Sequence, residues 1–469
     1  MSCAAGMMQG GTAPGGRLAA WGEWMRRHRG VIQGIQWGVV GVYAFLLIVP
    51  TLLPLPPYTA GILDNLTVFA QFVFWGIWWP FVLLSIVLMG RVWCGVFCPE
   101  GTLTEFASRH GRGGAIPRWV RWGGWPFVAF VGTTLYGQMA SVYDYPGPAL
   151  IVLGGSTVAA MIVGFLYGRD KRVWCRYLCP VNGVFRLLSR LSPLHYRTHE
   201  DAWQAARRSV RPERVNCPTL LALRELDEAG GCHMCGRCSG YRGAIALEPR
   251  LPGSEITRIG ARNASGWEYV LLVFGLIGTA IGAFHWSASP WFVTAKQAIA
   301  TWLVHHDWMW PLTMHAPWWV FTNYPGENDV FNLLDGALLI VYIATTAVVV
   351  GSAVTAALAL GTRAMGQWRP QRLYHLAHSL IPLGGIGAFL GLSMTTVSLL
   401  RADGVPVFWV GETRALLLAA ATAWSLGLAW RITAVHVPGQ WLRRLGGFAG
   451  GAAAAGVVAA AWWLLFWGW

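Results

Sequence analysis

The chain has 469 residues, 55% of them hydrophobic and only 12% charged, with 29 tryptophans. A composition this apolar excludes an ordinary soluble protein and implies an integral membrane protein, whose first partner is the lipid bilayer. The net charge of +14 would suggest nucleic acid in a soluble chain, but here the basic residues flank apolar runs, and no nucleic acid is expected.

Runs long enough to cross a bilayer, about 20 residues each, lie near 31–54, 67–90, 124–142, 148–168, 267–285, 332–360, 376–399, 413–432 and 447–469. The expected fold is an all-α integral membrane protein with about nine transmembrane helices and a small cytoplasmic insert. Residues 1–30 form a cytoplasmic N-terminal tail. Its start, Met1 to Gly16, reads as a disordered lead-in without the regions of a cleavable signal peptide, and it carries Cys3, the cysteine that no motif uses.

Residues 31–194 read as a four-helix membrane unit made by duplication. Arg91-Val92-Trp93-Cys94 through Cys98-Pro99 recurs 81 residues later as Arg172-Val173-Trp174-Cys175 through Cys179-Pro180. Two cysteines four apart on a helical turn share a face, and the proline that follows tends to end or redirect the helix. The hairpins are expected to bring Cys94, Cys98, Cys175 and Cys179 face to face at the cytoplasmic membrane surface, with accessible sulfurs. A shared 4Fe-4S cluster ranks first there. A dithiol redox pair, a copper site and buried free thiols acting as small apolar groups stay open. Arg91, Lys171, Arg172 and Arg176 are expected to lower the thiol pKa values and offset a thiolate-ligated cluster's negative charge. Glu100 reads as a solvated surface carboxylate, with proton relay at a quinone site as the alternative.

Residues 195–263 are a polar insert with a third cysteine group, Cys217-Pro218 followed by Cys232-His233-Met234-Cys235-Gly236-Arg237-Cys238. The C-x-x-C-x-x-C spacing wraps one 4Fe-4S cluster, and the remote Cys-Pro can supply the fourth thiolate, so Cys217, Cys232, Cys235 and Cys238 are the expected ligands. Zinc is the alternative, since four thiolates also suit it. Arg242-Gly243 stands where a further Cys-Pro would follow, which makes one cluster the ceiling. So small a domain has little core, and a metal group would contribute much of its fold.

Residues 264–469 read as a five-helix C-terminal membrane block without cysteine. His375 and His378 are candidate haem b ligands, but they share a helix face, so each needs a partner elsewhere; a structural, hydrogen-bonded role is the other reading. The tryptophan-rich loop 286–331 reads as an interfacial belt rather than a docking face or quinone site. The glycines at 446, 447, 450 and 451 permit close helix packing, and Trp462, Trp463, Trp467 and Trp469 suit a membrane interface.

Arginines cluster before the first span and after the second, fourth, sixth and eighth, whereas the alternate loops carry little beyond Lys296 and Arg401. The N-terminus and all cysteine motifs are therefore expected in the cytoplasm and the C-terminus outside, in a bacterial-type inner membrane. That side is reducing, where cysteine clusters are more often metal sites than disulfides.

With the twin C-x-x-x-C-P units and the ferredoxin-like segment in this order, the chain resembles the polyferredoxin-type membrane proteins related to NapH and NosR, which are linked to quinol oxidation and respiratory electron transfer. The resemblance covers about residues 30–245. It implies two 4Fe-4S clusters that carry electrons between a quinone/quinol pool or cytoplasmic donor and a partner respiratory redox protein. The chain would thus be an oxidoreductase component working with other redox or membrane subunits. It departs from the pattern in having one ferredoxin-like motif instead of two and five extra spans. A copper or other metal-ion reductase, or a metalloenzyme assembly factor, is the redox alternative; a transporter or sensor with a structural metal cluster is the alternative of another class. A hydrocarbon core of about 30 Å also separates cytoplasmic clusters from any external acceptor, so quinone or haem must bridge the gap or both reactions occur inside.

Overall fold

A computed structural model describes residues 16–57, 59–209, 215–258 and 260–469, with side chains for all of these but 207–209. Cys3 and the lead-in 1–15 lie outside the described residues. The chain is an all-α, multi-pass bundle. Amphipathic α1 (Arg17–Arg27) buries Gly22 and Met25 and exposes Trp21 and Trp24. Then follow α2 (Arg29–Leu52) and α3 (Leu66–Met89), α4 (Pro99–Arg109), α5 (Trp125–Met139), α6 (Pro146–Tyr167), α7 (Val173–Tyr177) and α8 (Asn182–Leu188).

The insert holds a short antiparallel pair, β1 (Leu194–Thr198) and β2 (Ile245–Pro249), in the register His195 to Glu248 and Tyr196 to Leu247. Helix α9 (Glu200–Ser209) lies between them in sequence. Tyr196, Leu226, Cys232, Met234, Ile245 and Leu247 make its small core. Helix α1 closes this core from outside: a Cβ on Gly22 would stand 2.7 Å from Ser239 Oγ and 3.2 Å from Leu247 Cβ.

After α10 (Ser254–Arg258) come α11 (Gly266–His285), α12 (Pro290–His305) in the aromatic loop, α13 (Leu333–Ala364), α14 (Pro370–Ala402), α15 (Val410–His436) and α16 (Trp441–Gly468). Among the described residues eight helices, α2, α3, α6, α11 and α13 to α16, are long and apolar enough to cross a membrane. The ninth expected span, 124–142, is α5, whose 15 residues reach about 22 Å at 1.5 Å per residue. Trp122 beside its start stacks edge-on with Trp267 at 5.1 Å, and at its other end the Met139 carbonyl accepts from the Thr322 backbone N–H at 2.9 Å.

The main core is built around α11, whose Leu271, Leu272, Val273, Leu276 and Ile277 are almost wholly buried among α13, α14 and α8. Helices α13 and α16 meet glycine on glycine: a Cβ on Gly450 would stand 2.5 Å from Gly361 Cα, an approach only small residues allow. Trp462 differs from expectation. It is fully buried, filling the space that Gly387 leaves, while Trp463 and Trp467 stay exposed. In the aromatic loop Trp291, Trp302, Trp308, Trp310, Trp318 and Trp319 are exposed.

A buried charge network fastens these parts together. Arg190 holds Glu268 at 2.9 Å and Glu255 at 3.6 Å, Arg250 pairs with Glu255, and Arg186 reaches Glu268 at 3.1 Å. His378 lies in the same network, 3.4 Å from Arg190 and 3.8 Å from Glu268. His375 is equally buried; its Nδ1 faces His436 Nε2 at 2.9 Å and its Nε2 faces the Ile256 carbonyl at 2.8 Å.

Candidate iron-sulfur site

The segment after α3 doubles back into the bundle instead of staying at its surface. Gly90, with φ at +66°, makes the reversal in a conformation that suits glycine. A π-helical turn, Trp93–Phe97, carries Cys94, and Trp93 stacks edge-on against Trp78 of α3 at 5.1 Å. Helix α4 then starts at Pro99, with Cys98 as its cap, and runs beside α6 in the same direction. Glu100 accepts a hydrogen bond from Ser156, the Thr104 hydroxyl donates to the Ala160 carbonyl at 2.6 Å, and Gly164 lies against Thr104. Ser156 is ten residues after Pro146 and eleven before Tyr167, so the Cys98 end of α4 is level with the middle of a membrane helix. The expected surface position of these cysteines is corrected accordingly.

Cys94, Cys98, Cys175 and Cys179 line one cavity of about 460 Å³. Aromatic and aliphatic groups of α3, α5 and α6 form most of the remaining wall, among them Phe74, Trp78, Phe130, Tyr136 and Leu153. It therefore runs from the cysteines to within a turn of the opposite end of α5. Glu100 supplies a carboxylate to the wall, held by Ser156 and by the Trp174 indole N–H at 3.1 Å. It is not a solvated surface group. Helix α5 packs on α8, α11 and α13, whereas α6 packs on α4, and α5 and α6 are not packed on one another along their length. Between them Gly132 and Ile151 line the cavity yet are exposed, and a Cβ on Gly132 would meet nothing within 4 Å. The cavity opens sideways there.

The second set, Cys217, Cys232, Cys235 and Cys238, lines a much smaller cavity with Tyr196, Leu226 and Arg237. The Met234 N–H donates to Cys232 Sγ at 3.4 Å and Thr219 Oγ lies 3.3 Å from Cys217 Sγ. All eight motif cysteines are free thiols. Among the described residues no three His, Cys, Asp or Glu side chains converge closely enough to hold a single ion.

Two arginines at equivalent places in the repeat are buried between the sets. Arg91 donates to the Gly230 carbonyl and to Asn182 Oδ1, both at 2.9 Å, and points toward Cys94 Sγ at 3.8 Å. Arg172 donates to the Cys94 carbonyl at 2.6 Å and to Glu105 at 2.9 Å, while its backbone N–H donates to the Pro218 carbonyl at 2.7 Å. Lys171 reaches the Cys217 carbonyl at 2.9 Å. Arg172 and Arg91 pull the Cys175 thiol down, as expected, but burial outweighs them. Burial pushes Cys175 up to about 12 against the pull of Arg172 and Arg91, and it raises Cys98 and Cys179 well above their usual value. Burial likewise takes Cys232 to about 12. Arg91 Nε and Arg172 Nη2 are buried without partners beside this wall. The donor set and the orphaned guanidinium nitrogens fit an iron-sulfur group.

The sequence marked Cys94, Cys98, Cys175, Cys179 and both arginines through the repeat, and Cys217, Cys232, Cys235 and Cys238 through the C-x-x-C-x-x-C spacing and the remote Cys-Pro. It gave no signal for Tyr43, Trp78, Phe130 and Tyr136, which read there as ordinary span residues. His375 and His378 lie apart from both cysteine cavities.

The family described as a 4Fe-4S binding domain matches the chain twice, over residues 71–117 and 150–198, and each match contains one C-x-x-x-C-P unit. The Escherichia coli (strain K12) protein named "Putative electron transport protein YccM" is 24% identical over 233 aligned residues, covering 43% of this chain and 62% of that relative. The chain thus matches less than two thirds of the relative's length. No solved structure matches. These likenesses support an iron-sulfur electron-transport protein of the multi-pass membrane type.

Proposed function

We propose that the chain carries electrons between a membrane quinol pool and a partner respiratory redox protein, in the manner of the NapH- and NosR-related proteins it resembles. Two four-iron groups are assigned, one to Cys94, Cys98, Cys175 and Cys179 and one to Cys217, Cys232, Cys235 and Cys238. Such a group, when bound, supplies a one-electron carrier whose potential depends on charge, hydrogen bonding and exposure. The observation that carries the quinol reading is the opening between α5 and α6, which leads from the side of the bundle to the first four cysteines. A volume of about 460 Å³ is within the usual range for a small-molecule site, and its apolar wall with a few polar groups is the usual chemistry. In this site the aromatic wall excludes water and binds the quinol ring, and Glu100 accepts a hydrogen bond from a quinol hydroxyl. The cysteine side and N-terminus are assigned to the cytoplasm of a bacterial-type inner membrane, on the charge asymmetry of the loops. The partner subunit receives or supplies the electrons at the second cysteine set.

Protein purified anaerobically tests this directly. About eight irons with matching acid-labile sulfide are expected per chain, with a paramagnetic resonance signal that dithionite and a short-chain quinol both generate. In Gly132→Trp the side opening is filled, so the quinol response should drop at least tenfold while the dithionite response stays. Zinc without sulfide would sink the electron-transfer reading. Copper that is lost in Cys94→Ser would replace it with metal-ion reduction.

A further inference from the structure

His233 sits between two ligands of the second cysteine set, yet it lines both cavities, the small one around Cys232 and the large one around Cys94, Cys98, Cys175 and Cys179. Among the described residues no other belongs to both walls. The residue is 3% exposed, and its Nδ1 is buried without a hydrogen-bond partner. Leaving a buried polar group unpaired is costly, so a buried Nδ1 kept here without a partner from the protein calls for explanation.

The backbone explains why the ring reaches across. Gly95, between Cys94 and Cys98, is pressed against the His233 carbonyl so closely that a Cβ could not fit, and that Cβ would also stand 3.0 Å from the Cys235 nitrogen. Gln36 fixes the other side of Gly95 by donating to its carbonyl at 2.9 Å. Arg91 and Arg172 bind the same two loops at Gly230 and Pro218. The two cysteine loops are thus one rigid unit, and His233 is the side chain that one loop contributes to the other's cavity.

We propose that His233 is a positioning residue that offers its ring N–H to the group held by Cys94, Cys98, Cys175 and Cys179, setting that group's potential from within the second cysteine loop. This rests on the two-group assignment above. Hydrogen bonds toward a cluster's sulfurs stabilise its reduced, more negative state and raise its potential. The partner that Nδ1 lacks within the protein is then the neighbouring redox group, and a ligand loop for one group also supports the other.

The test is a redox titration of the full-length protein followed by paramagnetic resonance, with the first centre identified as the signal lost in Cys175→Ser. In His233→Ala that centre should titrate at lower potential with iron and sulfide retained, and His233→Gln, which keeps an N–H donor, should recover most of the shift. If the alanine variant loses iron, His233→Phe fills the same volume without a donor and carries the measurement. Unchanged potentials at full iron content, or a shift confined to the centre of Cys217, Cys232, Cys235 and Cys238, would overturn the proposal while leaving the two-group reading intact. Wild-type protein without iron and sulfide would end both.

Discussion

Glu105 is 4% exposed and is held from three sides, by Arg172 at 2.9 Å, Arg237 at 2.6 Å and Arg109 at 3.3 Å. Burial by itself would raise its carboxyl, but the Arg172 and Arg237 guanidiniums outweigh burial and hold the pKa at about 2. A carboxylate depressed from its model value of 4.5 to about 2 contributes on the order of 3 kcal/mol of stability. Because the folded value is the lower one, that contribution is complete above about pH 4.5 and is lost as pH falls toward 2. Glu105→Gln should therefore unfold more easily than wild type at pH 7, and the gap between the two should close in acid. Denaturant unfolding in detergent across that range checks it, since acid damage to any bound cluster is common to both proteins; a gap that persists below pH 2 would mean that the ion pairs are not its source. Nothing in the sequence singled out Glu105. Arg237 was legible only as a spacer between two cysteines, and its reach to α4 depends on how the insert docks.

The duplication was readable because the repeated phrase is identical at Arg, Val, Trp, Cys and Pro, and the spans were readable from their apolar length. The doubling back of α4 was not, because Pro99–Arg109 is polar enough to pass for a helix lying in the cytoplasm. Its depth is decided by packing on α6, where Gly164 admits Thr104: a Cβ there would stand 2.5 Å from the Thr104 carbonyl and 2.7 Å from its hydroxyl. Overpacking of such a contact typically costs about 1–3 kcal/mol. Gly164→Val should push α4 off α6, lower the thermal midpoint and lose iron from Cys94, Cys98, Cys175 and Cys179 before the other set. Gly155→Ala, on the same helix but facing open space, should do none of this. Equal iron loss from both sets in Gly164→Val would mean that general unfolding, not the height of α4, is being read.

Among the described residues eight helices are long and apolar enough to cross a membrane; we propose that α5 is a ninth crossing, which would send the two termini to opposite faces. The short α5 is needed for this, because it carries the chain from the Phe165 end of α6, where Arg112 lies, to its Pro146 end. Its two ends argue for a full crossing: Trp122 lies against Trp267 at the start of α11, while Met139 and Tyr136 are tied to Thr322 and Trp319 of the aromatic loop. A helix of about 22 Å can do so where the bundle around it excludes lipid, as α8, α11 and α13 do on one side. The same geometry shortens the electron's problem, since Cys98 is level with mid-helix and the cavity continues past it toward Tyr136, about half of the roughly 30 Å core. A C-terminal alkaline phosphatase fusion, active only outside, should therefore be active, and a C-terminal fluorescent protein that folds only in the cytoplasm should be dark. The reverse pattern would overturn the assignment of the C-terminus to the outside.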